Sequence, residues 1–490
     1  MKKGKVYFVG AGPGCLDLLT LKGKKCIEMA DCIIYDRLID PKMLSFARKD
    51  VELIYVGKES TSGGKIQKEI NETIVKKYLE NKIVVRLKGG DSFVFGRGGE
   101  EIIELNKVNG DFELIPGITS AISVPEYAGI PVTHRGVSNS FHVFTGHLSD
   151  DNVELDYKTI AKLEGSLIFL MGVKNLNKIT GSLVLNGKNP NTPVGIIESG
   201  TTQNQRVITG TLSTICEKAI ENKITSPSIT IVGDVVNLRE QLKWLENKEL
   251  HGKKVLVTRD SANSNEFSEE LFRLGAQVHE LPFIEIKKNS MNLDNLNEYS
   301  AILFNSPNGV KFFMEEIKDI RPLVNLKIGV VGEKTEEELL KYKIRPDFMP
   351  KKYTIDELVK YSLDHTKENS RILIVTSNIS PCNIEKWEKE CSRSFDKIVA
   401  YNTDLKINDV ETVKEHIEKV DYITFLSSSA VDAFYKSING EVELLKDKKI
   451  VSIGEVTTKT IKDKGMNLYL EAEEFTAKGV INAIRGDKNV

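Results

Sequence analysis

The sequence predicts an α/β protein of two successive domains, on three observations. First, short β-branched runs alternate with helical patterns along the whole chain. Val6–Val9, Cys32–Tyr35, Ile83–Arg86, Ser166–Leu170 and Ser228–Val232 read as buried strands, and Gln67 to Asn81 carries apolar residues at helical spacing. Such alternation favours mostly parallel sheets. Second, the pattern restarts near residues 243–252. The charge-rich stretch Leu238 to Glu249, read as helical, ends at His251-Gly252, and a new strand opens at Lys254. Third, the second half repeats itself. Ile302 to Phe313 echoes Ile423 to Phe434, Ile328 to Thr335 echoes Ile450 to Thr457, and Lys254 to Thr258 echoes Arg371 to Thr376. The separation is about 120 residues each time, too long for a solenoid period. Two similar α/β lobes with a ligand cleft between them are the expected arrangement.

Composition narrows the function classes. The 490 residues contain 40% hydrophobic and 28% charged residues, which suits a soluble protein with real cores and excludes disordered and disulfide-scaffold classes. Lys plus Arg (68) nearly balance Asp plus Glu (70), so no global basic field exists to hold a nucleic acid. Six cysteines without a C-x-x-C pair and seven scattered histidines argue against a metal site and for reduced thiols in the cytoplasm. The apolar stretch at Val6–Val9 is too short for a signal core, and no window approaches the ~18 apolar residues of a membrane helix.

The first half carries three loops with chemical character. Val9-Gly-Ala-Gly-Pro-Gly14 follows a strand, and Asp36 ends the next one, as in a dinucleotide fold. Against that reading, Pro13 removes an N–H and Cys15 stands where a third glycine belongs; a tight turn needing glycine torsions is the alternative. Stronger is Val84 to Glu101, with five glycines in the 11 residues from Gly89 to Gly99 between a strand and the periodic helix Ile102 to Val108. Glycines here let backbone approach a ligand, and Asp91 can present an acceptor from a fixed turn. Ile115-Pro-Gly-Ile-Thr-Ser-Ala121 adds hydroxyls at a helix start, where capping is the simpler role. Asp36 and Lys58 both follow strands, at the sheet edge where open α/β folds bind ligands.

These motifs occur in one order with Tyr35-Asp-Arg-Leu38, Tyr55-Val-Gly-Lys58, Ala128 to Arg135, Thr145-Gly-His147, Met171-Gly172 and Glu198-Ser-Gly-Thr-Thr202. Over residues 1 to about 245 the set resembles uroporphyrinogen-III C-methyltransferase, of the tetrapyrrole methylase family. The resemblance implies a two-subdomain methylase fold (domain 1–245), S-adenosylmethionine as donor with S-adenosylhomocysteine as product, and a homodimer. It implies that Pro13, Gly89, Gly90, Asp91, Val94, Thr119, Ser120, Met171 and Gly200 line the donor pocket. Asp36 and Lys58 would be proton acceptor and donor, and Arg97, Glu100 and Arg135 would face a carboxylate-rich tetrapyrrole. An arginine among glycines suits bidentate carboxylate binding. The sequence departs from the family at Cys15-Leu16 and Ser92, where Asp-Pro and Pro are usual.

The second half offers hydroxyls at strand ends: Ser306, Thr335, Thr376-Ser377, Ser427-Ser-Ser429 and Thr457-Thr458. They either cap helices or turn helix starts toward a shared cleft suited to carboxylates. With Lys254 to Arg259, Phe304-Asn-Ser306, Val331 to Thr335, Ala400-Tyr-Asn-Thr403, Leu426 to Val431 and Ile453 to Thr457, the pattern resembles uroporphyrinogen-III synthase. That implies flavodoxin-like lobes in a domain 250–490, lobe one being 251–283 plus 405–490 and lobe two 286–400. It also implies cyclisation of hydroxymethylbilane to uroporphyrinogen III with its last ring inverted and no cofactor. Tyr401 would assist loss of the substrate hydroxyl, and Ser306, Thr335 and Thr457 would contact carboxylates. The chain would then cyclise hydroxymethylbilane and methylate the product twice to precorrin-2. Methylation of a later corrin precursor, beside a non-catalytic tetrapyrrole-binding module, is the alternative.

Overall fold

A computed structural model of the chain describes residues 4–57, 63–146, 155–259, 261–380 and 382–487. The chain divides into two compact units, Met1–His251 and Gly252–Val490. In the first unit β1 (Lys5–Gly10), β2 (Cys32–Tyr35), β3 (Glu52–Tyr55), β4 (Ile83–Lys88) and β5 (Phe112–Ile115) form a wholly parallel sheet. Its order is β3-β2-β4-β1-β5. The chain therefore leaves β1 in one direction and later returns past it to reach β5. That reversal gathers the loops after β1, β2, β4 and β5 at one carboxyl edge, the usual place for a ligand in open α/β sheets.

The second sheet contains β6 (Phe141–Thr145), β7 (Ser166–Leu170), β8 (Pro193–Glu198), β9 (Arg206–Thr211) and β10 (Ser228–Val232), in the order β6-β7-β10-β8-β9. Only β6 and β7 run parallel; the other pairs are antiparallel, unlike the mostly parallel sheets that alternation suggests. The link from β8 to β9 is too short for a crossover and can only reverse the chain. The helix Ser120–Tyr127 starts at the edge of the first sheet yet buries Ala121 and Val124 among Ile168, Ile197, Ile229 and Ile231 of the second. One helix thus joins the two layers.

The stretch Leu238 to Glu249 is not one helix. Only Arg239–Leu242 is α-helical, and Lys243 is extended. Trp244 turns onto the Tyr127 ring (5.2 Å) and Arg239 pairs with Glu246, so tertiary contacts outweigh the local helical pattern.

The second unit holds β11 (Lys254–Val257), β12 (Gln277–Glu280), β13 (Ile284–Lys288), β14 (Ala301–Phe304), β15 (Lys327–Val330), β16 (Arg371–Ser377), β17 (Ser394–Leu405), β18 (Tyr422–Phe425), β19 (Lys449–Ser452) and β20 (Leu468–Glu471). One sheet is entirely parallel, in the order β12-β11-β18-β19-β20. The other has the order β13-β17-β16-β14-β15, with β13 antiparallel to β17 at its edge. Each sheet has its own core, Phe283, Phe425 and Phe434 in the first and Phe304, Phe313 and Leu373 in the second. No helix among the described residues is long and apolar enough to cross a membrane.

The amino ends of the parallel sheet are tied to the last described residue. The Asp487 carboxylate is buried and accepts from Tyr422 Oη (2.7 Å), Lys449 Nζ (2.7 Å) and Tyr469 Oη (3.0 Å). Burial, reinforced by the bond to Asp487, pushes Tyr422 up to about 12. Burial lowers Lys449, but its bonds to Asp487 and Tyr422 outweigh that and hold it above its usual range. An unfolded tyrosine titrates near ~10. Above that value the unfolded chain sheds a proton that the folded protein keeps, so stability falls as pH rises from about 10 toward 12 and is unaffected below. Urea titrations should show the unfolding midpoint of the second unit falling across this window, with a flatter decline in Asp487→Asn. An equal slope in the variant would disconnect the clamp from the effect.

Candidate functional site

Backbone, rather than side chains, builds the carboxyl edge of the first sheet. Gly12 and Gly90 exchange N–H···O bonds (3.1 and 2.6 Å), pairing the loops that follow β1 and β4. The loop after β5 closes against both: a Cβ on Gly117 would stand 2.3 Å from the Gly90 carbonyl and 2.6 Å from Gly10 Cα. No side chain fits there. Asp91 fastens the assembly, its Oδ1 accepting the Phe93 N–H (2.8 Å) and its Oδ2 the Gly117 N–H (3.0 Å). Its carboxylate is thus engaged in holding loops. At Gly90, in the left-handed region at φ 69°, the single heavy atom within 4 Å of a built Cβ is the Ser120 nitrogen, at 3.9 Å. Bare backbone there faces open space at the start of a helix, which is what a cofactor cradle requires.

The second sheet contributes the opposite loops. Thr201 is buried and left-handed (φ 65°); its Oγ1 accepts the Cys15 N–H (3.3 Å), tying the loop after β8 to the loop after β1. Its own N–H donates to Gln205 Oε1 (2.8 Å), and Gln205 Nε2 donates to the Tyr127 carbonyl (3.2 Å). Phe95, Arg97, Met171, Ser199 and Thr201 all have positive φ. Non-glycine residues in that region cost roughly 1–3 kcal/mol each and gather where function over-determines the backbone.

The predicted donor-pocket residues fall on these loops. Pro13, Gly89 and Gly90 lie on the zipped turns, Thr119 caps the helix Ser120–Tyr127 through the Ala121 N–H, and Met171 follows β7 exposed. Val94 packs on the core under the second sheet, and Gly200 is buried. The helix expected from Ile102 begins earlier, at Gly98, because left-handed Arg97 turns the chain into it. Arg97 and Glu100 meet as a bidentate pair, Nε to Oε1 at 2.9 Å and Nη2 to Oε2 at 2.7 Å. That bond raises the guanidinium and lowers the carboxyl from their usual ranges. Arg135 stands exposed in the turn closed by His134 and Ser138. Lys58 and His147 lie outside the described residues. At the two departures from the family pattern, burial pushes the Cys15 thiol up, and the Ser92 carbonyl closes the loop by accepting the Gly98 N–H (3.0 Å).

Behind Asp36 the structure reveals a buried ionic group. Arg86 Nη2 donates to Asp36 Oδ1 (2.7 Å), and its Nε donates to Glu101 Oε1 (3.2 Å). That same oxygen accepts from Lys88 Nζ (2.8 Å) and Gln67 Nε2 (3.3 Å). Burial, with repulsion from Arg86, pulls the Lys88 ammonium below its usual range despite Glu101. The signal lay in β4 itself: two cations in a central parallel strand, where apolar residues are the rule.

In the second unit Ser306 caps the helix Pro307–Glu316 through the Gly309 N–H (3.0 Å), and its hydroxyl meets Tyr401 Oη at 3.0 Å. Tyr401 lies in β17, nearly buried, with its ring 5.7 Å from Phe312. Thr335 and Thr457 occupy first turns of the helices Glu333–Lys341 and Glu455–Asp463, where glycines hold the cap positions. The hydroxyls therefore divide: Ser306 joins Tyr401, while the two threonines mark separate helix starts. Asn305, to which the sequence assigns no role beyond its place in the Phe304-Asn-Ser306 motif, links the ends of β14 and β16 by donating from Nδ2 to Thr376 Oγ1 and Ser380 Oγ (2.6 Å each).

Comparison with known proteins matches both units. Residues 5–216 fit the model for tetrapyrrole (corrin/porphyrin) methylases, and residues 265–482 that for uroporphyrinogen-III synthase HemD. The porphyrin biosynthesis protein HemD of Ruminiclostridium josui is 36% identical over 497 aligned positions, covering 99% of this chain and 98% of that protein. The uroporphyrinogen-III C-methyltransferase of Bacillus subtilis (strain 168) is 41% identical over 352 positions, 70% of this chain and 72% of its own length. The S-adenosyl-L-methionine-dependent uroporphyrinogen III methyltransferase of Methanosarcina barkeri is 50% identical over 241 positions, 49% of this chain and 94% of its own. Full-length similarity to the first of these, with one family model on each unit, means that the chain belongs to the tetrapyrrole methylases through its first unit and to the uroporphyrinogen-III synthases through its second.

Proposed function

We propose that the chain is a bifunctional tetrapyrrole enzyme. Its second unit cyclises hydroxymethylbilane to uroporphyrinogen III with inversion of the last ring, and its first unit methylates that product twice to precorrin-2. The observation that carries the reading is the pairing of two families on one chain, the product of one being the substrate of the other.

When bound, S-adenosylmethionine supplies an electrophilic methyl group and departs as neutral S-adenosylhomocysteine. Gly90 and the Thr119–Ser120 helix start offer bare backbone and open space to such a donor, with Pro13, Gly89, Val94, Met171 and Gly200 on the surrounding loops. Asp91 holds the cradle in shape. Asp36, at the end of β2, takes a proton from the methylated ring, and Lys58 returns one; Arg97, Glu100 and Arg135 face the tetrapyrrole, the two arginines meeting its carboxylates. The Arg97–Glu100 pair opens or shares its donors when a carboxylate arrives, since the guanidinium presents more N–H groups than one carboxylate uses.

In the second unit, lobes 251–283 plus 405–490 and 286–400 hold the linear substrate. The parallel sheet order β12-β11-β18-β19-β20 supports the flavodoxin-like reading of the first lobe. Tyr401, oriented by Ser306, assists departure of the hydroxyl, and Thr335 and Thr457 take carboxylates at helix starts. Positioning a flexible chain so that the right carbon meets the reactive terminus is the larger part of the task. The enzyme works as a homodimer through its first unit, as the family resemblance supports. It resides in the cytoplasm, consistent with its six free cysteines. Incubation with hydroxymethylbilane and S-adenosylmethionine should yield a dimethylated type-III product; an unmethylated or type-I macrocycle alone would refute the reading.

A further inference from the structure

Arg86 lies in mid-strand on β4 with its side chain 2% exposed, and all its nitrogens are engaged. Nε donates to Glu101, Nη1 to the carbonyls of Ile34 and Leu87 (3.3 Å each), and Nη2 to Asp36. Glu101 is fully buried and is gripped in turn by Lys88 and Gln67. The guanidinium is therefore fixed by three elements of the first unit: β2, β4 and the helix Gly98–Asn106.

Stability does not ask for such an arrangement. Apolar replacement of a buried ion pair is often neutral or stabilising, and a central parallel strand is ordinarily apolar throughout. The two cations and two carboxylates balance, and three of the four groups are sealed from water. Asp36 alone, 30% exposed, reaches the carboxyl edge beside the glycine loops. Its Oδ1 is taken by Arg86, while its Oδ2 has no hydrogen bond among the described residues.

We propose that Arg86 is a positioning residue for methyl transfer, clamping Asp36 by one oxygen so that the other faces the substrate ring. The inference rests on the reading of the first unit as a methyltransferase with Asp36 as proton acceptor. After the methyl carbon leaves sulfur and bonds to the ring, the cationic ring loses a proton to Oδ2 and keeps the bonding pair. Arg86 touches neither substrate nor donor. Its effect is on the aim of the base, so it belongs to the chemical step and not to binding.

The test uses the full chain with uroporphyrinogen III and S-adenosylmethionine, and compares Arg86→Gln, Arg86→Lys, Asp36→Asn and the Arg86→Gln/Asp36→Asn double variant. Arg86→Gln should lower kcat about 30-fold, within the worth of a positioned base. KM for uroporphyrinogen III and calorimetric Kd for S-adenosylhomocysteine should stay within about threefold. Arg86→Lys should recover part of kcat. Added to Asp36→Asn, Arg86→Gln should change kcat by less than about twofold, because the carboxylate it aims is already gone. A further full loss in that background, or a loss appearing in KM or Kd, overturns the proposal. Should Arg86→Gln fail to fold, shown by loss of the cooperative unfolding transition in urea, the same cycle with Arg86→Lys decides the matter. A wild-type chain without methyl transfer would sink the reading of the unit, whereas full kcat in Asp36→Asn would remove the base and the positioning together.

Discussion

Asp91→Ala should reduce methyl transfer about 10³-fold while leaving cyclisation of hydroxymethylbilane unchanged. The carboxylate fastens the loop after β4 to the loop after β5: Oδ1 fixes the turn at Phe93 and Oδ2 fixes Gly117. Hydrogen bonds to a charged group contribute about 1.5–3 kcal/mol each, so losing both removes about 4 kcal/mol, or about three powers of ten. Nothing nearby can substitute. Gly117 is pressed between Gly90 and Gly10 with no room for a compensating side chain, so its N–H is left facing an empty position. The damage should appear both as weaker binding of S-adenosylhomocysteine and as slower turnover, since a loosened cradle holds the donor badly in every state. Asp91→Asn keeps one acceptor oxygen and should fall between the alanine variant and the native enzyme. Cyclisation is insulated because the second unit, Gly252–Val490, has its own cores. Methylation within about tenfold of native in Asp91→Ala would dismiss the clasp; loss of both activities would mean that the two units do not act independently.

Tyr401→Phe should slow cyclisation about 10²-fold, the low end of what a positioned proton donor contributes, with methylation of supplied uroporphyrinogen III unaffected. The substitution is clean. Phenylalanine keeps the ring against Phe312, and Ser306 keeps its bond from the Gly309 N–H, so the helix Pro307–Glu316 stays capped. What disappears is one neutral hydrogen bond between hydroxyls, worth about 1 kcal/mol of stability. The two effects separate the roles: a structural tyrosine would lower the unfolding midpoint slightly and leave the rate alone, whereas a participating one loses rate with little change in stability. Ser306→Ala, which frees the phenol but also uncaps a helix, should lower both. An unchanged cyclisation rate in Tyr401→Phe would exclude its hydroxyl from the chemistry.

Much of this molecule was legible in one dimension. Strands such as Cys32–Tyr35 and Ser228–Val232 were readable because burial on both faces demands an unbroken β-branched run, a purely local property. The glycine cluster of residues 89–99 marked a ligand loop because glycine's torsional freedom is intrinsic to the residue. The restart of the α/β pattern near residue 250 likewise needs only neighbouring residues to be seen.

The tertiary structure decided whatever depends on a partner far along the chain. The 3.6-residue pattern of Leu238 to Glu249 suggested a helix, but Trp244 found Tyr127 and Arg239 found Glu246, and the helix stopped at Leu242. Asp91 read as an acceptor on a fixed turn, and the fold decided that its two oxygens accept from Phe93 and Gly117. Arg86 could be noticed as a cation in a central strand, but its reach to Asp36, 50 residues away, follows from β4 lying beside β2. Tyr401 and Ser306, 95 residues apart, meet only because β14 and β17 flank β16. Sequence periodicity reports which face of an element is buried; which hydrogen-bond partner waits on the facing element is fixed by strand order and register, and those are set by the packing of the whole unit.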